Sequence, residues 1–246
     1  MITIDFYFYH IEKCAGTTLR NLLYENVKSV LNNNQIHIPA CNLPENANSP
    51  NFIKSGKGNL DYYKNIKVIA DHSRPNQLAE MLKCEVKLNF SVVALRKPYE
   101  RVLSHYHYFG KKKYPYTSMA EMPKDEFEKF MRSVGNLQTR KLSFPHYSVE
   151  KAIETLKTID CIILSEHFDY SMELLSKTNP YGYSFKKGVK LNVTSTRKKE
   201  DYTTYYDDEF QERIKPYLEK DEALYAFAER EFERRCKENG LKNVTY

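Results

Sequence analysis

A single α/β domain over residues 1–246, with a central parallel sheet flanked by helices and a P-loop-like first turn, is what the sequence predicts. Three observations lead there. Short apolar runs alternate with segments of helical periodicity, the order that builds a parallel sheet covered on both faces. A chain of 246 residues fills one sizeable core and is short for two. Each polar cluster of interest (residues 12–18, Asp71 with His72, Arg96, Ser165 with Glu166) falls where an apolar run ends. Sheets of this kind bind ligands outside the carboxyl ends of their strands.

The elements follow in order. Residues 2–11 mix β-branched and aromatic side chains and predict a buried strand. A loop at 12–18 leads into a helix with Leu19, Leu22, Leu23, Val27, Val30 and Leu31 on one face, ended by three asparagines at 32–34. Residues 35–65, rich in Asn, Pro, Gly and Ser, predict a long irregular excursion. A second strand is expected at 66–70, a helix from Pro75 to about Lys83, a third strand at 90–95, and an aromatic helix from Pro98 to about Phe109. Residues 110–118 predict a mobile basic loop. Helices are expected near 123–133, 136–143 and 148–158, a fourth strand at 159–164, then helices at 167–177, 201–217 and 220–238.

Composition narrows the function classes. Hydrophobic residues at 41% and charged residues at 28% describe a globular protein. The net charge of +6 suits anionic ligands, and its spread, with short runs only at 111–113 and 197–199, argues against nucleic-acid binding. The five cysteines, at 14, 41, 84, 161 and 236, have neither zinc nor redox spacing and predict reduced thiols. His105 and His107 face different directions on a helix, and no metal site is expected. With no basic leader and no apolar run near the ~20 residues that span a bilayer, a cytoplasmic protein without a membrane span is expected.

The chemistry begins at the first loop. A strand, then Lys13-Cys14-Ala15-Gly16-Thr17-Thr18, then a helix is an arrangement that binds phosphate: small residues turn backbone N–H groups inward, the helix start adds partial positive charge and Lys13 a full one. Its order is not that of a Walker loop, since the lysine precedes the glycine. Further on, Arg96 ends a strand and Ser104 follows eight residues later on a helix, an Arg fork and a hydroxyl suited to a second phosphate.

These segments resemble the carbohydrate sulfotransferases related to heparan sulfate 2-O-sulfotransferase. HIEKCAGTTL at 10–19 is similar to their HIPKTAGTSL-type loop, and RKPYERVLSHY at 96–106 to their R-x-P-x-x-R-x-x-S-x-Y pattern. The resemblance implies PAPS (3′-phosphoadenosine 5′-phosphosulfate) as donor and PAP as product. It implies that Lys13, Cys14, Ala15, Gly16, Thr17 and Thr18 hold the 5′-phosphosulfate, with Lys13 on the bridging oxygen. Arg96 and Ser104 would then hold the 3′-phosphate, and Arg101 would be structural. NLQTRKL at 136–142, LSEHFDYSMELL at 164–175 and LNVTSTRKK at 191–199 resemble further segments, the last implying cofactor contacts from Thr194, Thr196, Arg197 and Lys198. Glu12, where the family carries proline, is expected to point away from the anion, and His10 to pack beneath the loop.

An acceptor hydroxyl needs a base, and His72 closes the second strand on the same sheet edge as the loop. Relatives often show His-x-His there; Ala70-Asp71-His72 matches only its second histidine. Asp71 is placed either to orient the imidazole or to be the base itself. Gln138 and Arg140 either face the acceptor or belong to a buried network. By likeness the acceptor is a carbohydrate hydroxyl, with residues 35–65 and 110–118 lining its cleft. Two rivals share the loop: a nucleotide or small-molecule kinase, which has no use for Arg96 and Ser104, and a degenerate PAP-binding protein without a base.

Overall fold

In the computed structural model, residues 1–38, 60–72, 74–188 and 207–241 are described. One five-stranded, all-parallel sheet runs in the order β2-β3-β1-β4-β5, with β1 Ile2–Tyr9, β2 Ile36–His37, β3 Val68–Asp71, β4 Val86–Leu95 and β5 Cys161–Leu164. Helices flank it, which is the predicted fold class. The burial of β1 and β4 explains the run-like hydrophobicity: both alternate at their start and become buried on both faces toward their carboxyl ends.

Cα packing divides the chain into two compact units. The first is Met1–Leu95, Thr158–Leu191 and Glu231–Tyr246; the second is Arg96–Lys157 and Asn192–Arg230. The first holds the whole sheet with α1 Gly16–Val27, α2 Leu60–Lys64, α3 Pro75–Leu82 and α8 Phe168–Thr178. Leu19, Leu22, Leu23 and Val27 are the buried stripe of α1. Phe6 packs on Phe90 and Phe185 with ring centroids 5.4 and 6.4 Å apart.

The order places β3 on one side of β1 and β4 on the other, so the chain reverses direction across the sheet at β1. In folds with such a switch point ligands bind outside the carboxyl ends of the strands, and the loop after β1 follows one of those ends. Tyr9 pairs with Asp71 and with Val93, and Leu95 with Leu164, so the four polar clusters follow strands that end on one edge.

Three expectations on elements need correction. The excursion at 35–65 contains a two-residue edge strand and the short helix α2; two residues are too few to show an alternating pattern. The third predicted strand begins at Val86 rather than residue 90, because its first half pairs with Ile2 to Ile4 while carrying polar residues at Lys87 and Asn89. Helix α1 runs from Gly16 to Val27, so Thr17 and Thr18 lie in its first turn, while Val30 and Leu31, expected on its apolar face, lie beyond its end with Val30 65% exposed.

The second unit is helical: α4 Pro98–Tyr108, α5 Lys124–Val134, α6 Leu137–Ser143, α7 Val149–Lys157, α9 Asp208–Ile214 and the first part of α10 Glu219–Glu238. Val102, Tyr106, Phe127, Phe130, Met131 and Leu218 belong to its core. The segment 110–118 is packed here rather than free. Tyr114 and Ser118 are buried, and the Tyr106 hydroxyl donates to the Tyr116 carbonyl at 2.8 Å. Its lysines suggested solvent, but the aromatic residues between them anchor it.

Candidate functional site

The loop between β1 and α1 owes its shape to two non-glycine residues with left-handed backbones, Lys13 at φ 68° and Ala15 at φ 57°. Each such residue costs roughly 1–2 kcal/mol, and such outliers cluster where a site needs a special backbone. Cys14 between them is buried, its thiol donating to the Glu12 carbonyl at 3.7 Å. Left-handed residues beside ordinary ones are the backbone pattern from which anion nests are built.

Ala15 is the N-cap of α1, with no side-chain cap bond and no acidic residue in the first turn. The helix therefore presents its first N–H groups and the positive end of its dipole without an internal carboxylate to neutralise them. Gly16 lies tight against His10: a Cβ there would come within 1.8 Å of the imidazole. His10 packs beneath the loop, as expected.

His72 completes this cluster. Its Nδ1 lies 2.7 Å from the His10 backbone carbonyl, which can only accept, so Nδ1 carries the proton. With Nδ1 as the donor, the neutral form of the ring has its lone pair on Nε2, the tautomer a general base requires. The His10 and His72 rings are 4.1 Å apart and His10 stacks in turn on Phe8 at 5.7 Å. Glu12 turns toward His72, its Oε1 3.8 Å from Nδ1, so the carboxylate serves the histidine.

Asp71 does not orient the imidazole. Its Oδ1 accepts the His72 backbone N–H at 2.6 Å, and its Oδ2 lies 3.5 Å from Nε2 of His37, a buried histidine whose Nδ1 is 3.1 Å from the Tyr62 hydroxyl. Their own burial raises the Tyr7 and Tyr63 phenols, and the negative charge of nearby Asp71 raises them further. Of the two roles open to Asp71, orienting and acting as base, the first passes to a backbone carbonyl. No side-chain pattern could have announced that.

The second unit carries Arg96 and Ser104. Arg96 is held by its backbone: its N–H donates to Gln138 Oε1 and its carbonyl accepts from Gln138 Nε2, both at 2.9 Å. Its guanidinium is partly exposed, 3.8 Å from Glu100 one turn on. Ser104 is half-buried on α4, and its hydroxyl makes no hydrogen bond to a described residue. Arg101 is structural, as the resemblance implied: it is fully buried, donates to the Val134 carbonyl and lies 4.0 Å from buried Asp221.

Asp221 was missed by sequence reasoning, being one acid among many on a charged helix. It accepts from the backbone N–H groups of Gln138 and Thr139 at 3.2 and 2.7 Å, capping α6, whose left-handed N-cap Asn136 bonds back to it at 3.0 Å. Gln138 thus belongs to a buried network. Arg140 donates to the carbonyls of Arg132 and Ser133. His107 is buried and His105 packs on Phe109 and Phe130.

Thr194, Thr196, Arg197 and Lys198 lie outside the described residues. Cys14, Cys84, Cys161 and Cys236 form no disulfide. Among the described residues no group of three His, Cys, Asp or Glu could hold a metal, and no helix is long and apolar enough to cross a membrane. Compared with known proteins, the chain matches no family model and no curated protein.

Proposed function

We propose that this chain is a sulfotransferase that uses PAPS and sulfates a hydroxyl of a carbohydrate-type acceptor. The observation that carries the reading is a histidine held through Nδ1 by the His10 carbonyl, beside the loop that follows the central strand of a parallel sheet. A nest of left-handed residues and an uncapped helix start free of acidic residues fit a phosphosulfate. When bound there, PAPS would supply the sulfuryl group and PAP the leaving phosphate.

The residues divide the work. Lys13, the loop N–H groups and the Thr17 and Thr18 hydroxyls hold the anion and stabilise negative charge growing on the leaving oxygen. His72 takes the acceptor proton at Nε2 while the His10 carbonyl keeps the ring in place. Glu12, 3.8 Å away, stabilises the positive charge the ring then carries. Arg96 and Ser104 are assigned to the 3′-phosphate by resemblance, with Gln138 setting the Arg96 backbone.

Calorimetry with PAP and with ATP tests the assignment. PAP should bind without magnesium, and Arg96→Ala should weaken it at least about tenfold, or ~1.4 kcal/mol. Magnesium-dependent preference for ATP would overturn it in favour of a kinase. His72→Ala should retain PAP affinity while sulfate transfer falls by about 10²–10⁴-fold; unchanged turnover would remove His72 from the mechanism.

A further inference from the structure

A pocket of about 230 Å³ lies wholly within the second unit, between the carboxyl end of α5, the start of α6 and the turn before α10. Arg132, Arg140 and Lys220 line it with Tyr147 and Tyr217, and no carboxylate is among its lining residues. Arg132 is paired with Glu128 at 3.1 Å outside that lining. Arg140 uses both terminal nitrogens on backbone carbonyls, while its Nε is buried with no hydrogen-bond partner among the described residues.

The rim is aromatic and strained. Tyr147 has a left-handed backbone at φ 53°, rare for a bulky residue. Lys220 clamps its carbonyl at 2.9 Å, and the ring is 46% exposed. Phe144, 42% exposed, meets it edge-on at 5.9 Å. Tyr147 in the lining, with Phe144 against it, offers an apolar platform beside three basic residues. A sugar ring bearing an acidic group has the matching shape: a C–H face for the aromatic ring and an anion for the cations.

From this convergence we propose that the pocket binds an anionic saccharide, stacking a sugar ring on Tyr147 and holding its carboxylate or sulfate with Arg132, Arg140 and Lys220. The choice of a sugar among ring-bearing anions rests on the sulfotransferase reading; the charge and the aromatic platform do not.

Titration of the full chain, without PAP, separates the possibilities. The probes are a uronate-containing tetrasaccharide, its carboxyl-reduced neutral counterpart, and a neutral oligosaccharide carrying one sulfate ester. At least one anionic probe should bind about tenfold or more tightly than the neutral one, and the one that does identifies the acidic group. Tyr147→Gly suits the left-handed backbone, so its thermal midpoint should hold or rise while saccharide affinity falls about tenfold. Lys220→Gln should lower affinity for the anionic probe and leave the neutral one unchanged.

Equal affinity for anionic and neutral probes, no binding by the wild-type chain, or undiminished binding in Tyr147→Gly would each overturn the proposal. So would loss of PAP affinity in Tyr147→Gly, since the pocket would then belong to the nucleotide. Saccharide binding with no PAP binding would leave the pocket standing and sink the sulfotransferase reading; the reverse would sink the pocket alone.

Discussion

A methyl group on Gly16 would have to displace the His10 ring, since its carbon would sit 1.8 Å from both Cδ2 and Nε2. His10 has little room to yield, being buried between Phe8 and His72. The disturbance passes on to His72, which depends on the same residue for its ring contact and its Nδ1 hydrogen bond. Gly16→Ala should therefore cost about 1–3 kcal/mol of stability by overpacking, and weaken PAP at least about tenfold. Urea unfolding and calorimetry measure the two effects. Thr17→Ala, half-exposed in the same turn, should leave stability nearly unchanged. If Gly16→Ala matches the wild type in both measurements, the close packing of loop and histidine has no bearing on binding. Part of this was legible in the sequence. Glycine, lysine and threonines marked this turn as a candidate anion loop because their chemistry is carried by residue type. The left-handed turns at Lys13 and Ala15 were hidden, since neither residue is one that favours that conformation.

At the scale of elements, Arg96 shows how a candidate site residue depends on a helix far along the chain. Gln138 sits on the first turn of α6 and bonds both backbone groups of Arg96, while Asp221 on α10 caps the same turn. Gln138→Leu keeps the volume roughly but strands an N–H and a carbonyl that are otherwise satisfied. The expected loss is about 2–6 kcal/mol, at about 1–3 kcal/mol for each of the two buried groups left unmade. PAP affinity should drop with it if Arg96 holds the 3′-phosphate. Loss of stability with PAP affinity intact would separate Arg96 from the nucleotide. Local patterns made most elements readable, because amphipathic helices and buried parallel strands write their periods into the sequence. The failures are those where pairing decides. Ile36–His37 is a strand only because it lies against β3, and the polar start of β4 is one only because β1 runs beside it. Asp221 was invisible for the same reason, since a cap made 83 residues away has no local signature.

The sheet as a whole buries groups that become charged only at high pH. Burial pushes the Cys161 thiol up to about 12 and the Cys236 thiol up to about 11. Tyr7, Tyr9 and Tyr63 are all raised as well, with desolvation the leading cause in each case. All five belong to the first unit. The sign follows from proton binding: in the unfolded chain these groups ionise near their ordinary values of 9.0 and 10.0, while in the folded chain they keep their protons. Above about pH 9 the folded state therefore binds more protons, and stability falls as pH rises. The urea midpoint should stay level between about pH 7 and 8 and decline steadily from about pH 9 upward. Tyrosinate absorbance should rise in two steps, exposed phenols first and the buried ones together with unfolding. Cys161→Ala removes one of the five groups and should make the alkaline decline shallower, at the cost of a small cavity at lower pH. A midpoint that holds level to pH 11, or buried phenols that ionise before the chain unfolds, would mean that water reaches the sheet and that these groups are not held in a closed core.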